Sequence, residues 1–187
     1  NAWSADGRIL NFEGDVRVNG KPVTANTVLN SQDTIATAEG ASVRIVLSDN
    51  SVLDIDSGST IKLSDYSFNP AAPKENKSDI SVVEGTLRYV SGLIAKEDPA
   101  DIGFTAGNST IGVRGSFTGI EVDGVTVNVE AMIGEATLLH KGDEGQRDAI
   151  VVPTGKATQT DPKTGKTIVT ASTMTNAVNE VVRAIAA

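Results

Sequence analysis

Ile120-Glu121-Val122-Asp123-Gly124-Val125-Thr126-Val127-Asn128-Val129 is the stretch on which the fold turns. Ile120 and Val122 alternate with carboxylates, and Val125, Val127 and Val129 alternate with polar residues without error, which is the period of a half-buried β-strand. Asp123-Gly124 between them is a strong hairpin signal, because Gly tolerates the positive φ that a tight two-residue turn demands. Ahead of this pair, Ile102, Phe104 and Ala106 alternate, as do Ile111 and Val113, but the phase is lost between Phe117 and Ile120. One extra residue reverses the face of every side chain after it, so a bulge or bend is expected at Gly119.

The same signals extend towards the N-terminus. Val16 and Val18 precede Asn19-Gly20, a preferred type I′ turn centre, and Val23 begins the return. Residues 33–37 and 41–47 read as two strands about a Glu39-Gly40 turn, with Val43, Ile45 and Leu47 on one face. Asp49-Asn50 turns the chain into Val52–Asp56. From Ser64 to Ser78 the rhythm breaks at Pro70 and Pro73, which cannot donate to a ladder, so a long surface loop is expected there. Strands resume at Ile80–Val83 and Leu87–Val90 around Glu84-Gly85, and the segment near Lys96–Pro99 reads as a second exposed connection.

After Val129, hairpins are expected between Glu135–Leu139 and Ile150–Val152 and around Asp161–Gly165, giving ten to thirteen short strands in all. The exception is the C-terminus. Met174, Ala177, Val178, Val181, Val182 and Ile185 fall at i, i+3, i+4, i+7, i+8 and i+11, the stripe of an amphipathic helix that Ser172 or Thr173 can cap. Packing it on an exposed sheet edge or open end uses its apolar face; contact with another chain is the alternative. The expected organisation is a lead-in over residues 1–6, in which Asn1-Ala2 looks like a cloning scar, an all-β unit over 7–153, and a hairpin with a capping helix over 154–187 in the same domain.

Composition agrees. Val, Ile and Thr number 21, 14 and 19, so 54 of 187 residues are β-branched, which favours pleated sheet. At this length folding buries roughly 70% of the extended chain's surface, enough for one core. The fold class expected is all-β, a twisted two-sheet sandwich or roll with solenoid-like stacking of short strands and hairpins, plus one C-terminal helix. A formal charge of −8 opposes nucleic acid and anionic membranes as partners. With no Cys, one His and no cofactor fingerprint, the chain is expected to bind without a cofactor and without catalysis.

The order of short signals is more informative than any one of them. Gly14-x-Val-x-Val, Asp33-x-Ile-x-Thr, Val43-x-Ile-x-Leu-x-Asp, Glu84-Gly85-x-Leu, Phe104-x-Ala, Ile111-Gly112-Val113-Arg114-Gly115-Ser116-Phe117 and Val127-x-Val…Gly134-x-Ala together resemble the FecR-like domain over roughly Gly7 to Pro153. The sharpest part is Ile111–Phe117, where the family usually reads Gly-Val-Arg-Gly-Thr-x-Phe. The resemblance implies an extracytoplasmic all-β module, periplasmic or extracellular. In membrane-anchored relatives it receives a signal from an outer-membrane transporter and passes it to a sigma factor. Neither the anti-sigma segment nor a membrane span is visible in this sequence. The expected partner is another envelope protein, met in signal reception or surface assembly; a carbohydrate-binding or adhesin module is the alternative, and it predicts exposed aromatics on one sheet face.

Few residues stand out as sites. Arg114 between Gly112 and Gly115 offers five donors, and it is expected to brace the fold by tying loop carbonyls or a carboxylate; binding a ligand carboxylate or phosphate is the other reading. The glycines lack the Lys-Ser/Thr ending of a phosphate loop. Asp49, Asp54 and Asp56 could gather oxygens for Ca²⁺, but they are few and no loop wraps them, so a solvated face is expected. His140, the sole His, is expected to be exposed at a hairpin tip. Among the aromatics, Phe104 and Phe117 are assigned to the core. Tyr66 and Phe68 fall in the proline-containing segment, where they either pin it to the sheet or, if exposed, form a partner-binding loop.

Overall fold

The computed structural model describes residues 5–142, 145–146 and 149–172. Strands β1 (Gly7–Glu13), β2 (Val16–Val18), β3 (Lys21–Pro22), β4 (Val28–Leu29), β5 (Thr34–Thr37), β6 (Ser42–Leu47), β7 (Val52–Ile55), β8 (Thr60–Ser67) and β9 (Lys77–Val90) come first. A short helix, α1 (Leu93–Glu97), leads to β10 (Ile102–Ala106), β11 (Ser109–Asp123), β12 (Thr126–Gly142), β13 (Gly145–Gln146), β14 (Ile150–Val152), β15 (Lys156–Thr160) and β16 (Thr167–Ala171). The stripe at Met174–Ile185 lies outside the described residues.

All sixteen strands join one hydrogen-bonded sheet. Three long strands, β9, β11 and β12, divide it into two layers because each runs through both. One layer follows the order β3-β2-β5-β8-β9-β10-β11-β12-β14, and the other β4-β1-β6-β7-β9-β11-β12-β15-β16. Both layers turn one face into a single core that includes Ile35, Ile61 and Leu63 from the first and Ile45, Leu53 and Leu87 from the second. Tyr89 of the second layer meets Phe104 of the first edge-on, ring centroids 5.0 Å apart at 69°. The architecture is the expected all-β roll, with its two layers continuous rather than separate.

Bulges keep the long strands amphipathic. In β9, Ile61 pairs with Val82 and Thr60 with Glu84, so Val83 is the extra residue; inward positions shift from Ser78, Ile80 and Val82 to Leu87 and Tyr89. Glu84-Gly85 is therefore a bend inside one strand and not the turn expected; Gly85 (φ +87°) lies so close to Ser59 that an added Cβ would come 2.6 Å from its Cα. Ser64 is the extra residue of β8, which continues to Ser67 and leaves only residues 68–76 as the loop expected to span Ser64–Ser78. In β11 the irregularities fall between Arg114 and Thr118, opposite Met132–Gly134, rather than at Gly119.

Turns with glycine at positive φ follow expectation where strands are neighbours. Asn19 and Gly20 (φ 50° and 78°) close β2 onto β3, and Gly124 (φ 55°) closes β11 onto β12, with Asp123 facing Thr126. Glu39-Gly40 differs: β5 pairs with β2 and β8, and β6 with β1 and β7, so this turn crosses between layers and makes no hairpin. The connection near Lys96–Pro99 contains α1 and a 3₁₀ turn at Pro99–Asp101, its start capped by Asp98 Oδ1 accepting the Ala100 N–H at 2.9 Å.

Candidate functional site

Tyr66 is inside, at 3% exposure, because the bulge at Ser64 brings it to the inner face. Its hydroxyl donates to Asp49 Oδ1 (3.1 Å) and accepts the Asp49 N–H (3.0 Å). Asp49 itself is fully buried in the β6–β7 turn, where Oδ1 also accepts from the Ser51 hydroxyl (2.6 Å) and N–H (3.0 Å). Its carbonyl takes the Leu93 N–H at 2.7 Å and so fixes the start of α1. Burial first, then the Asp49 charge, raise the Tyr66 phenol above its ordinary range. Tyr66 therefore pins the strand and offers no docking surface, which corrects the exposed-loop reading; Phe68, half-buried, packs against the core.

The three aspartates considered for Ca²⁺ are spent separately. Asp54 takes Arg44 through two hydrogen bonds (2.6 and 2.8 Å), Asp56 takes Arg88 through two (2.8 and 2.5 Å), and Asp49 belongs to the Tyr66–Ser51 network. Among the described residues no three His, Cys, Asp or Glu side chains gather as metal ligands.

His140 is not at an exposed tip. It is half-buried in β12 and spans the two layers, with Nδ1 2.8 Å from Ser109 Oγ and Nε2 3.1 Å from Thr167 Oγ1. A Ser–His pair at this distance invites comparison with a nucleophile and its base. Ser109 is 2% exposed, however, and the second ring nitrogen meets the Thr167 hydroxyl. The geometry serves a layer-to-layer clamp. Sequence reasoning missed it because Ser109 and Thr167 are remote in the chain.

Arg114 does not brace. The alternation that buries Ile111 and Val113 sends Gly112 and Arg114 outward, and the Arg114 guanidinium makes no hydrogen bond or ion pair with any described residue. The bracing is done by backbone. Gly115 and Gly134 pass so closely that a Cβ on Gly115 would lie 2.5 Å from Gly134 Cα, and Gly134 sits at φ +97°. Arg114 lines an open cleft of about 720 Å³ on the outer face of the first layer. Glu135 stands opposite it in register, and Asp98, Pro99 and Ala100 form the wall. The arrangement presents an exposed guanidinium, carried on a paired strand, in a cleft also lined by the carboxylates of Asp98 and Glu135.

Among the described residues the outer faces carry no stack of exposed rings. Of the described aromatics, Tyr66, Tyr89 and Phe104 are buried, and Phe12, Phe68 and Phe117 are half-buried. Phe117 leaves the core on the outward side of the β11 irregularity, against expectation.

Comparison with known proteins agrees with this all-β, two-layered class. Two crystal structures, at 2.50 and 1.65 Å resolution, of a protein from Parabacteroides distasonis ATCC 8503 described as a "putative anti-sigma factor" superpose with a TM-score of 0.55 at 10% identity, over 74% of this chain and 59% of theirs. At that identity the likeness is one of fold. None of the curated proteins matches. The FecR protein family matches residues 33–137, 105 of the 187 residues, and the chain belongs to it. Among the described residues no helix is long and apolar enough to cross a membrane.

Proposed function

We propose that this chain is a non-catalytic protein-recognition module of the bacterial envelope, periplasmic or extracellular, acting in signal reception or surface assembly. The observation that carries the reading is the outward Arg114, bonded to no described residue, on a paired strand at the centre of the family's sharpest motif. Arginine is a frequent anchor of protein interfaces, because its planar fork binds a carboxylate bidentately and loses less side-chain freedom per hydrogen bond formed. The partner is an envelope protein that presents a carboxylate or carbonyl cluster to the Arg114 cleft. The family membership supports signal reception as the setting. A carbohydrate-binding module is the second class, and the buried or half-buried aromatics favour it less.

The test is capture from envelope extracts on the immobilised chain, with bound proteins identified by mass spectrometry. Arg114→Ala and Arg114→Glu should lose a defined partner that the parent retains, at unchanged unfolding midpoint. Equal capture by all three sinks the Arg114 reading. Saturable binding on a glycan array, abolished by the same variants, transfers the site to a sugar ligand.

A further inference from the structure

Four strands end the two layers, β3 and β14 in the first and β4 and β16 in the second. An end strand leaves a row of backbone groups without a ladder partner, and proteins protect such rows with short strands, charge, proline or bulges. β3 is two residues long and contains Lys21 and Pro22, β4 is two residues and β14 three. β16 has none of these protections. It runs for five residues, Thr167-Ile168-Val169-Thr170-Ala171, without charge or proline, and pairs with β15 in unbroken register. Ile168 on one face is 48% exposed and Val169 on the other 42%.

The register shows which backbone groups face away from the sheet. The Asp161 N–H donates to the Lys166 carbonyl and the Ser172 N–H to the Gly155 carbonyl, each at 2.9 Å, so the even-numbered residues of β16 turn towards β15. Thr167, Val169 and Ala171 therefore aim theirs outward, where no described strand receives them. The Ala171 carbonyl meets the Thr170 hydroxyl at 3.4 Å. The edge is also held in place. Thr158 Oγ1 accepts the Val129 N–H (2.7 Å), the Thr160 hydroxyl donates to the Val127 carbonyl (3.1 Å), and His140 Nε2 lies 3.1 Å from Thr167 Oγ1, which ties the β15–β16 hairpin to β12. An edge fixed in this way loses little freedom when it gains a partner.

We propose that β16 is a self-association edge: two copies of this chain pair antiparallel through it about a two-fold axis at Val169, and the second layer continues from one chain into the other. The register is self-complementary. Thr167 faces Ala171 of the other copy and Val169 faces its own counterpart, so the outward N–H and carbonyl groups of all three residues find partners. A strand without charge brings no repulsion to its own image, although the whole chain carries −8. Charge at the strand ends is complementary: Lys166 stands opposite Ser172 of the other copy, whose hydroxyl donates to Glu130 Oε1, and symmetry repeats the contact. This edge does not involve Arg114 and does not depend on the reading of that cleft.

Sedimentation equilibrium of the full chain from about 1 μM to about 1 mM spans the affinities of weak dimers, and the apparent mass should rise towards twice that of one chain. Val169→Pro removes an outward donor that β15 does not use, and Val169→Lys places a charge on the edge. Each should keep the chain monomeric over the whole range at unchanged strand content. Val125→Lys, at the exposed β11–β12 turn, is the charge-matched control and should associate like the parent. Because the chain has no Cys, single cysteines report the register. Counterparts in a hydrogen-bonded pair lie about 5.5 Å apart, within disulfide reach, whereas Ile168 lies diagonal to its own counterpart at about 7–8 Å, beyond it. Oxidation should therefore give covalent dimer severalfold faster from Val169→Cys than from Ile168→Cys. A parent that stays monomeric throughout overturns the proposal and leaves the edge to a strand of a different protein. Association that Val169→Lys leaves intact, or equal oxidation of the two cysteine variants, overturns it as well.

Discussion

Tyr66 and Asp49 are bonded to each other twice, the phenol donating to Oδ1 at 3.1 Å and accepting the backbone N–H of the same residue at 3.0 Å. Removing the hydroxyl leaves that buried N–H without a partner and the carboxylate short of one donor. Tyr66→Phe should therefore cost about 1–3 kcal/mol, the price of an unsatisfied buried donor. Tyr89 provides the contrast. Its hydroxyl is equally buried, near Ser51 and the Gly92 backbone, but makes no hydrogen bond of good geometry, so Tyr89→Phe should stay within about 0.5 kcal/mol of the parent. Urea midpoints at constant m decide it. The account fails if Tyr89→Phe is the more damaging change.

Both tyrosines of the chain are buried, and burial, with the Asp49 charge as second cause, raises both phenols. In each case the folded state holds its proton more tightly than the unfolded state, whose phenols ionise near pH 10. The stability contributed by the neutral phenols is thus complete below about pH 10 and declines as pH rises beyond it. Alkaline titration should show no phenolate absorbance from the native protein, and then both phenolates together with loss of strand structure. Reversible ionisation of one tyrosine in the folded chain would count against the buried assignment.

Val83 is 56% exposed and is not a core residue, yet its deletion should be among the most damaging single changes. Without the extra residue, either Ile80 and Val82 or Leu87 and Tyr89 must turn to solvent. At about 1.5–3 kcal/mol for each of two large side chains, the loss is about 3–6 kcal/mol, which reaches the lower end of an ordinary domain's stability of about 5–15 kcal/mol. Deleting Ala71, exposed in the loop after β8, should be tolerated by comparison. Thermal unfolding followed by circular dichroism distinguishes the two; equal melting temperatures would remove the bulge from the argument.

The bulges also mark where the sequence stops being legible. Asn19-Gly20 and Asp123-Gly124 announce their turns because the required positive φ selects the residue type, and strands such as Val43–Leu47 announce their inner face by strict alternation. A bulge residue leaves no such mark. Ser64 shifts the phase of β8 by one, so Tyr66 reads as irregular when it is core, and Val83 with Gly85 reads as a turn when β9 bends there and continues. Partners remote in sequence are equally silent: nothing near His140 foretells Ser109 or Thr167. The Arg114 motif was visible as a motif, but which of its members bears weight depends on a glycine-to-glycine approach that only the folded backbone reveals.

That approach yields the sharpest mutational contrast. Gly112 has nothing within 4 Å of an added Cβ, and its backbone is ordinary extended strand, so Gly112→Ala should be neutral or stabilise by up to about 1 kcal/mol by restricting the unfolded chain. Arg114→Ala removes no bond to a described residue and should stay within about 0.5 kcal/mol. Gly115→Ala drives a methyl into the Ile133 carbonyl and Gly134 Cα, and Gly134→Ala adds a left-handed φ of +97° to the same collision, so each should cost about 1–3 kcal/mol or more. Chemical denaturation of the four variants reads the order directly. If Arg114→Ala proves as destabilising as Gly134→Ala, the guanidinium is a structural brace after all, and its place at a partner interface is lost with it.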